Sequence, residues 1–186
     1  LLTELCRKAG LPPGVLNLVH GLGPKTGAVL ARHPRVSALS FTGGTATGAA
    51  IAKAAAPTFK KLSLEMGGKN PNIVFADADF DSAVDGALFG AFANQGEVCS
   101  AGSRLLVERS IQKRLVEAMV KKFPRIKMGH GLTPGVKMGP LVSAAHREKV
   151  ESYIKIGQAE GAKLVCGGRR PPGAEFERGH FVEPPS

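Results

Sequence analysis

Short apolar runs alternate with longer amphipathic stretches along most of the chain, and this alternation restricts the possible folds more than any other feature. The apolar runs have the length of strands, and glycine-rich turns follow several of them. The pattern predicts strands over 15–19, 36–41, 61–65, 72–75 and 105–108, and helices over 1–9, 24–32, 45–56, 79–94, 111–122 and part of 140–161. Alternating strands and helices form a parallel sheet covered by helices, so the sequence predicts an α/β fold.

A glycine-rich turn joins the predicted strand at 36–41 to the helix at 45–56, and it contains Gly43, Gly44 and Gly48. Such a turn can bind an anion, because free backbone N–H groups and the helix dipole point at the ligand. The glycine spacing matches neither the usual dinucleotide fingerprint nor a phosphate-binding P-loop. The turn by itself therefore leaves two interpretations open, a cofactor turn and an ordinary loop.

A carboxylate, Glu65, stands at the end of the predicted strand at 61–65, and Gly67 and Gly68 follow it closely. Glycines at this position allow backbone or ligand to approach and leave the carboxylate in a loop. A carboxylate in a loop can act as a general base. A solvated Glu that caps a turn is the alternative.

A cysteine, Cys99, lies between a predicted helix and a predicted strand, in a turn flanked by Gly96 and Gly102. A thiol in such a turn is placed where a substrate can reach it. Cysteine attacks as the thiolate, and a free thiol is a few per cent ionised at neutral pH, which is enough for covalent catalysis. A small buried hydrophobic side chain is the alternative interpretation.

The three segments 41–45, 64–71 and 95–99 occur in this order, and 34 residues separate Glu65 from Cys99. This arrangement closely resembles the NAD(P)-dependent aldehyde dehydrogenase superfamily, and the resemblance extends from 11–17 to 179–185. It implies that residues 1–67 form the later part of a Rossmann-like nucleotide-binding domain. Residues 68–186 would then form part of an α/β catalytic domain that carries the nucleophilic cysteine.

The resemblance also implies the reaction, which is oxidation of an aldehyde to a carboxylic acid with NAD or NADP. Cys99 would form a thiohemiacetal and then a thioester, and Glu65 would activate the water that hydrolyses the thioester. The presence of Glu65 favours hydrolysis over transfer of the acyl group to coenzyme A. The cofactor-binding residues implied are Gly23, Gly27, Phe41, Thr42, Gly43, Gly44, Thr45, Gly48, Met66 and Gly67.

One departure and two ambiguities accompany the resemblance. Gly44 stands where many members have a serine near the cofactor pyrophosphate, although backbone N–H groups can serve there. The run 96–104 is similar to those of betaine-aldehyde, aminoaldehyde and semialdehyde dehydrogenases, which leaves the particular aldehyde open. NAD and NADP also both stay open, because the residues that contact the adenosine ribose in the family are not in this sequence.

Members of the family are longer, so the resemblance indicates an internal fragment of a larger homo-oligomer, a dimer or a tetramer. The family's oxyanion-stabilising Asn and ribose-binding Lys would precede the chain. A nicotinamide-ribose Glu and an oligomerisation hairpin would follow it. Two alternatives from other classes remain, a nucleotide-binding fragment without turnover and a non-catalytic structural relative.

Composition restricts the partners. The formal net charge is +10, but the positive side chains are scattered and not interleaved with aromatic ones, which is untypical of a nucleic-acid-binding surface. No apolar run is long enough for a membrane span, and no secretory signal is present, so a cytoplasmic protein is expected. Three widely spaced cysteines predict a reducing compartment and no metal site; Cys166, in the apolar run 162–166, is expected to pack in a core strand.

Overall fold

The computed structural model describes residues 1–185, and they form two compact units. The first unit is Leu1–Gly67, and the second begins at Gly68. Both units contain helices and a parallel pair of strands, which confirms the predicted α/β fold. The identification of the units as parts of a nucleotide-binding and a catalytic domain stays a prediction. Each unit is described by itself below.

The first unit is built around a strand–helix–strand motif. Its helices are α1 (Leu2–Lys8), α2 (Ala28–Arg32) and α3 (Thr45–Ala55), with a π-helical turn at Gly23–Gly27 before α2 and a 3-10 turn at Ala56–Thr58 after α3. Strand β1 (Ala38–Gly43) precedes α3, and strand β2 (Lys61–Met66) follows it. The strands are parallel, with Ala38 opposite Lys61 and Gly43 opposite Met66. Their carboxyl ends therefore lie side by side.

A buried lysine fixes the connection between α2 and β1. Lys60 is 8% exposed, and its ammonium donates to the carbonyl oxygens of His33 (2.6 Å) and Val36 (2.5 Å). A buried charge is tolerated only when hydrogen bonds replace its hydration. Both carbonyls follow the end of α2, so the bonds join this turn to the residue that precedes β2.

The second unit begins with two strands separated by a helix. Strand β3 (Pro71–Val74) is followed by α4 (Phe80–Phe92), a 3-10 turn (Ala93–Gly96) and strand β4 (Arg104–Val107). Strands β3 and β4 are parallel, with Pro71 opposite Arg104. The remaining helices are α5 (Gln112–Lys122) and α6 (Ala144–Ala159), with 3-10 turns at Phe123–Arg125 and Ala174–Phe176.

The core of the second unit forms where α4 and α5 cover β3 and β4. Its buried members are the side chains of Val74, Val84, Ala87, Leu88, Leu115 and Met119. On α4 these side chains recur at helical spacing, as the sequence indicates. Asp79 caps the start of α4, because its Oδ1 accepts the backbone N–H of Ser82 at 2.8 Å. At the other end of α4, Phe92 packs against this core, and from there the chain continues toward Cys99.

Two predicted strands are wrong. Residues 15–19 and residues 162–166 adopt no strand conformation. A strand is stabilised by its hydrogen-bonded neighbour, and no strand in the described part of the chain pairs with either run. Cys166 is partly buried, although not in a strand. The strand predicted over 36–41 is shifted by two residues, because β1 begins at Ala38 and continues to Gly43.

Candidate active site

The glycine-rich turn of the first unit connects β1 to α3. Gly44 is the N-cap residue of α3, with extended backbone angles of φ −74° and ψ 144°, and no side chain caps the helix there. A Cβ added to Gly44 would meet no atom within 4 Å. The N–H groups of Thr47 and Gly48 both donate to the carbonyl oxygen of Gly44 at 3.0 Å. Those of Thr45 and Ala46 have no partner within the helix. The turn thus offers open space beside free donors, which suits an anionic group.

Gly48 and Met66 pack the first helical turns of α3 against the end of β2. Gly48 is buried, and a Cβ built on it would lie 2.5 Å from the sulfur of Met66. The missing side chain of Gly48 therefore makes room for Met66. Packing against Met66 therefore accounts for the glycine at position 48, whose spacing from Gly43 matches no standard phosphate loop.

Glu65 lies next to the glycine-rich turn. It stands within β2 and not in a loop as predicted, because the pairing with β1 continues through Glu65 to Met66. It stands opposite Thr42 in the parallel pair of strands, and Met66 stands opposite Gly43. Both Glu65 and Thr42 are exposed. The structure therefore brings four predicted site residues to one edge of the first unit, and Gly67 follows them in the chain.

The other predicted cofactor residues of the first unit differ in their placement. Phe41 is half-buried in β1, and its ring lies beside Gly43. Thr45 is the first residue of α3. Gly23 and Gly27 begin and end the π-helical turn, and both are exposed. No hydrogen bond among residues 1–185 joins that turn to Gly43 or Gly44.

Cys99 is exposed in the loop between the 3-10 turn and β4 of the second unit. The chain reaches it through three consecutive left-handed residues: Asn94 (φ 49°), Gln95 (φ 58°) and Gly96 (φ 75°). Left-handed backbone at residues other than glycine costs about 1–3 kcal/mol each and concentrates at functional sites. The sharp turn out of α4 thus places a thiol at the surface at an energetic cost that the surrounding contacts must offset.

Hydrogen bonds hold the loop at and after the cysteine. The amide nitrogen of Asn70 donates to the carbonyl oxygens of Cys99 (2.7 Å) and Ala101 (3.3 Å). The N–H of Ala101 donates to Val98, and the N–H of Gly102 donates to Gly90 in α4, both at 3.0 Å.

Two further contacts hold the loop before the cysteine. The side chain of Gln95 donates to the carbonyl oxygen of Pro140 at 3.4 Å. His146, near the start of α6, lies 3.2 Å from a carboxylate oxygen of Glu97, measured from Nε2 to Oε1. Sequence reasoning missed Asn70 and His146. Asn70 belongs to the segment 64–71, whereas nothing in the sequence connects His146 to Glu97, 49 residues upstream.

The three cysteines are free and differ in environment. Burial raises the pKa of the Cys166 thiol, and the nearby carboxylate of Glu183 raises it further. Cys99 is exposed, whereas Cys6 and Cys166 are partly buried. Glu65 and Cys99 belong to different compact units. Across residues 1–185, no group of three or more His, Cys, Asp or Glu side chains is arranged to hold a metal ion.

Among the described residues, no helix combines the length and the apolar character that a membrane span needs.

Comparison with known proteins gives the family of this α/β chain. A match to the aldehyde dehydrogenase family covers residues 1–185, so the chain belongs to the aldehyde dehydrogenase family. Betaine aldehyde dehydrogenase of Bacillus subtilis (strain 168) is 52% identical over 181 residues, which are 97% of this chain and 37% of that protein. The peroxisomal aminoaldehyde dehydrogenase 2 of Pisum sativum is 45% identical, over 98% of this chain and 36% of that protein.

Comparison with solved structures gives the same family. The betaine aldehyde dehydrogenase of Staphylococcus aureus in complex with NAD+ superimposes with a TM-score of 0.95 and 45% sequence identity, over 99% of this chain and 36% of that one. The chain thus spans little more than a third of the length of the relatives it matches.

Proposed function

We propose that the native protein oxidises an aldehyde to a carboxylic acid with NAD+, with Cys99 as the nucleophile and Glu65 as the general base. The observation that carries the proposal is the exposed thiol of Cys99 on a surface loop that several hydrogen bonds hold. A nucleophile has to be reachable and fixed at the same time. The partly buried thiols of Cys6 and Cys166 are less accessible.

The distance in sequence between a glycine and a reactive cysteine of a relative supports the choice of Cys99. In solved structures of the S. aureus enzyme, one cysteine is found both modified by β-mercaptoethanol and free of it. A Gly→Ser variant of that enzyme changes a glycine 55 residues before this cysteine. Gly44 precedes Cys99 by the same 55 residues in this chain. A cysteine that takes up a thiol reagent is accessible and reactive, as the proposal requires of Cys99.

The glycine-rich turn of the first unit fits part of a dinucleotide. Gly43, Gly44 and the free N–H groups at the start of α3 would hold the phosphates, and Met66 and Gly67 would line the adjacent strand end. NAD+ supplies, when bound, the acceptor for the hydride that leaves the substrate carbon. Several solved relatives are complexes with NAD+, which favours NAD+ over NADP.

The protein side chains perform the rest of the proposed reaction. The Sγ of Cys99 forms a bond to the aldehyde carbon, and the backbone N–H of Cys99 stabilises the resulting oxyanion. Loss of hydride leaves the acyl group on the sulfur as a thioester. Glu65 accepts a proton from a water molecule whose oxygen attacks the acyl carbon. The carbon–sulfur bond then breaks, which releases the carboxylic acid and regenerates the thiolate.

The relatives also favour a substrate class. Those described above are named betaine aldehyde dehydrogenases and aminoaldehyde dehydrogenases. Both names refer to aldehydes that carry a nitrogen group. We propose that the native protein acts on an aldehyde of this class. Assembly as a homo-oligomer and a location in a reducing, cytoplasmic compartment stay predictions, and the three free cysteines support the second of them.

Replacement of Cys99 tests the proposed function. In the native protein, Cys99→Ser should lower the oxidation of betaine aldehyde or an aminoaldehyde by about 10²-fold or more, because a hydroxyl without a strong base is a poor nucleophile. NADH formation measures the rate, and equilibrium binding of NAD+ should be unchanged. Cys166→Ser is the matched control and should retain activity. A Cys99→Ser protein that keeps more than about a tenth of the activity contradicts the proposal.

A further inference from the structure

We propose that Asn70 is a positioning residue that orients the nucleophile by binding its backbone. The proposal rests on the proposed role of Cys99. The side-chain amide of Asn70 has two N–H donors, and its nitrogen lies 2.7 Å from the carbonyl oxygen of Cys99 and 3.3 Å from that of Ala101. A single side chain therefore binds the peptide group on the carboxyl side of the cysteine and the second peptide group after it.

The position of Asn70 is itself fixed. It immediately precedes β3, and its own carbonyl oxygen accepts the N–H of Arg104, the first residue of β4, at 3.1 Å. The guanidinium Nε of Arg104 donates to the carbonyl oxygen of Lys69 at 2.7 Å. The loop carrying Cys99 ends just before Arg104. Asn70 thus binds the loop through its side chain and binds the first residue of β4 through its backbone carbonyl.

The chain around Asn70 is shaped for this contact. A Cβ built on Gly68 would lie 3.2 Å from the carbonyl oxygen of Cys99 and 3.3 Å from the side-chain oxygen of Asn70. That distance is tighter than most side-chain contacts, so a glycine at 68 lets the carbonyl and the amide meet. The second glycine of the Gly67–Gly68 pair therefore has a role in the loop of Cys99.

The bond acts on the direction of the thiol. The carbonyl of Cys99 and the Cα of Cys99 belong to the same peptide plane, so a fixed carbonyl restricts the direction of the Cα–Cβ bond. The side-chain contacts of Gln95 and Glu97 hold the chain before the thiol, and the other bonds after it join backbone to backbone. Asn70 alone among these side chains binds the backbone of the cysteine itself. Displacement of a reacting group by about 1 Å can lower a rate by about 10²-fold.

The amide is also the right chemical group. Two carbonyl oxygens need donors, and a neutral amide provides two without placing a charge beside the thiol. An aspartate has nearly the same shape but only acceptors, so it would repel both carbonyls. Asn70→Asp therefore removes the bonds with little change in volume.

Asn72 provides a matched control, because it is the same residue type two positions further along the chain, within β3. Its side chain lies beside Gly102 of the loop of Cys99, but no hydrogen bond in the described part of the chain joins the two. Asn72→Asp makes the same chemical change and adds the same charge. Any effect of charge or of a general loss of stability in β3 should appear in both variants.

Two measurements on the native protein test the proposal. Amide hydrogen exchange detected by mass spectrometry reports the order of residues 98–102, and steady-state kinetics reports the chemistry. Asn70→Asp should speed exchange in this loop by about tenfold or more and leave exchange in α4 and α5 unchanged. It should lower kcat by about 10- to 100-fold and change the KM for NAD+ less than twofold. Asn72→Asp should show neither effect. If Asn70→Asp does not fold, Asn70→Ala removes the same donors without adding charge.

Three results would overturn the inference. They are unchanged exchange in the loop, faster exchange with kcat kept within twofold, and equal effects of Asn70→Asp and Asn72→Asp. Failure of the proposed function gives a different result. An active Cys99→Ser protein would remove the nucleophile from the mechanism, whereas the exchange measurement would still report whether Asn70 holds the loop.

Discussion

Thr42 and Glu65 lie directly opposite each other at the carboxyl ends of two parallel strands. Gly43 and Met66 are the next pair, and the glycine-rich turn follows at once. Ligand sites of parallel α/β sheets lie at the carboxyl ends of the strands. The register of one pair of strands therefore places the proposed general base beside the proposed phosphate-binding turn, although Glu65 follows Thr42 by 23 residues in the sequence.

Two glycines of α3 should respond oppositely to substitution. Gly44→Ser places a capping oxygen in open space and should raise the free energy of unfolding by a few tenths of a kcal/mol. Gly48→Val forces a branched side chain toward the sulfur of Met66 and should lower it by about 1–3 kcal/mol. Urea denaturation of the native protein measures both. Equal effects at the two positions would contradict the packing of Gly48 against Met66.

The three thiols should react at different rates. Iodoacetamide should alkylate Cys99 first, because Cys99 is exposed, whereas Cys6 and Cys166 are partly buried. Burial and the charge of Glu183 raise the pKa of Cys166, which lowers its thiolate fraction at neutral pH. Glu183→Gln should therefore speed alkylation of Cys166 and leave Cys99 unaffected. Peptide mapping by mass spectrometry identifies the order, and prior modification of Cys166 would contradict it.

The cap of α4 should make stability depend on acid pH. The bonds from Ser82 lower the pKa of Asp79 below its ordinary value of 3.8. A lowered pKa in the folded state means that the ionised cap contributes stability above the unfolded value, and that this contribution is lost as the pH falls through the folded value. Asp79→Asn keeps an acceptor oxygen but has no charge. The wild type should melt at a higher temperature than Asp79→Asn at neutral pH. The difference should shrink as the pH falls below 3.8 and disappear once the pH is below the lowered pKa of the folded state. A difference that is constant with pH would refute this role.

Lys60 should stabilise the first unit through its two carbonyl partners. Lys60→Met fills the same space but leaves the carbonyl oxygens of His33 and Val36 without their donor. The expected loss is about 2 kcal/mol in the free energy of unfolding, because hydrogen bonds to a charged group are worth about 1.5–3 kcal/mol each and water can replace part of them. The neighbouring exposed Lys61 gives the control variant Lys61→Met, which should have little effect. Equal losses for the two variants would show that the hydrogen bonds are unimportant.

The secondary structure was largely predictable from the sequence, because local patterns determine most of it. The helices at 45–55, 80–92 and 112–122 lie within one or two residues of their predicted bounds. Their apolar residues recur at helical spacing, and Gly44 and Asp79 stand at the N-caps of the first two. The wrong strands, 15–19 and 162–166, have a suitable composition but no neighbouring strand in the described residues. Composition alone cannot supply that neighbour.

The candidate site was predictable where a motif carries it and not where the tertiary structure carries it. Cys99 and Glu65 stand in distinctive motifs, and their catalytic roles stay predictions. The two carbonyl oxygens bound by Asn70 and the contact of His146 with Glu97 depend on segments 29 to 49 residues apart in the chain. The left-handed turn at Asn94 and Gln95 also escaped prediction, since neither residue type requires that conformation.

Rapid quenching of Glu65→Gln in the native protein tests the central claim most directly. In the proposed mechanism, Glu65 acts only after the acyl group has reached Cys99, so the variant should form one equivalent of NADH in a burst and then stall. Mass spectrometry of the quenched protein should find the acyl group on the peptide that contains Cys99. Unchanged steady-state turnover, or an acyl group on another residue, would contradict the proposed roles of both residues.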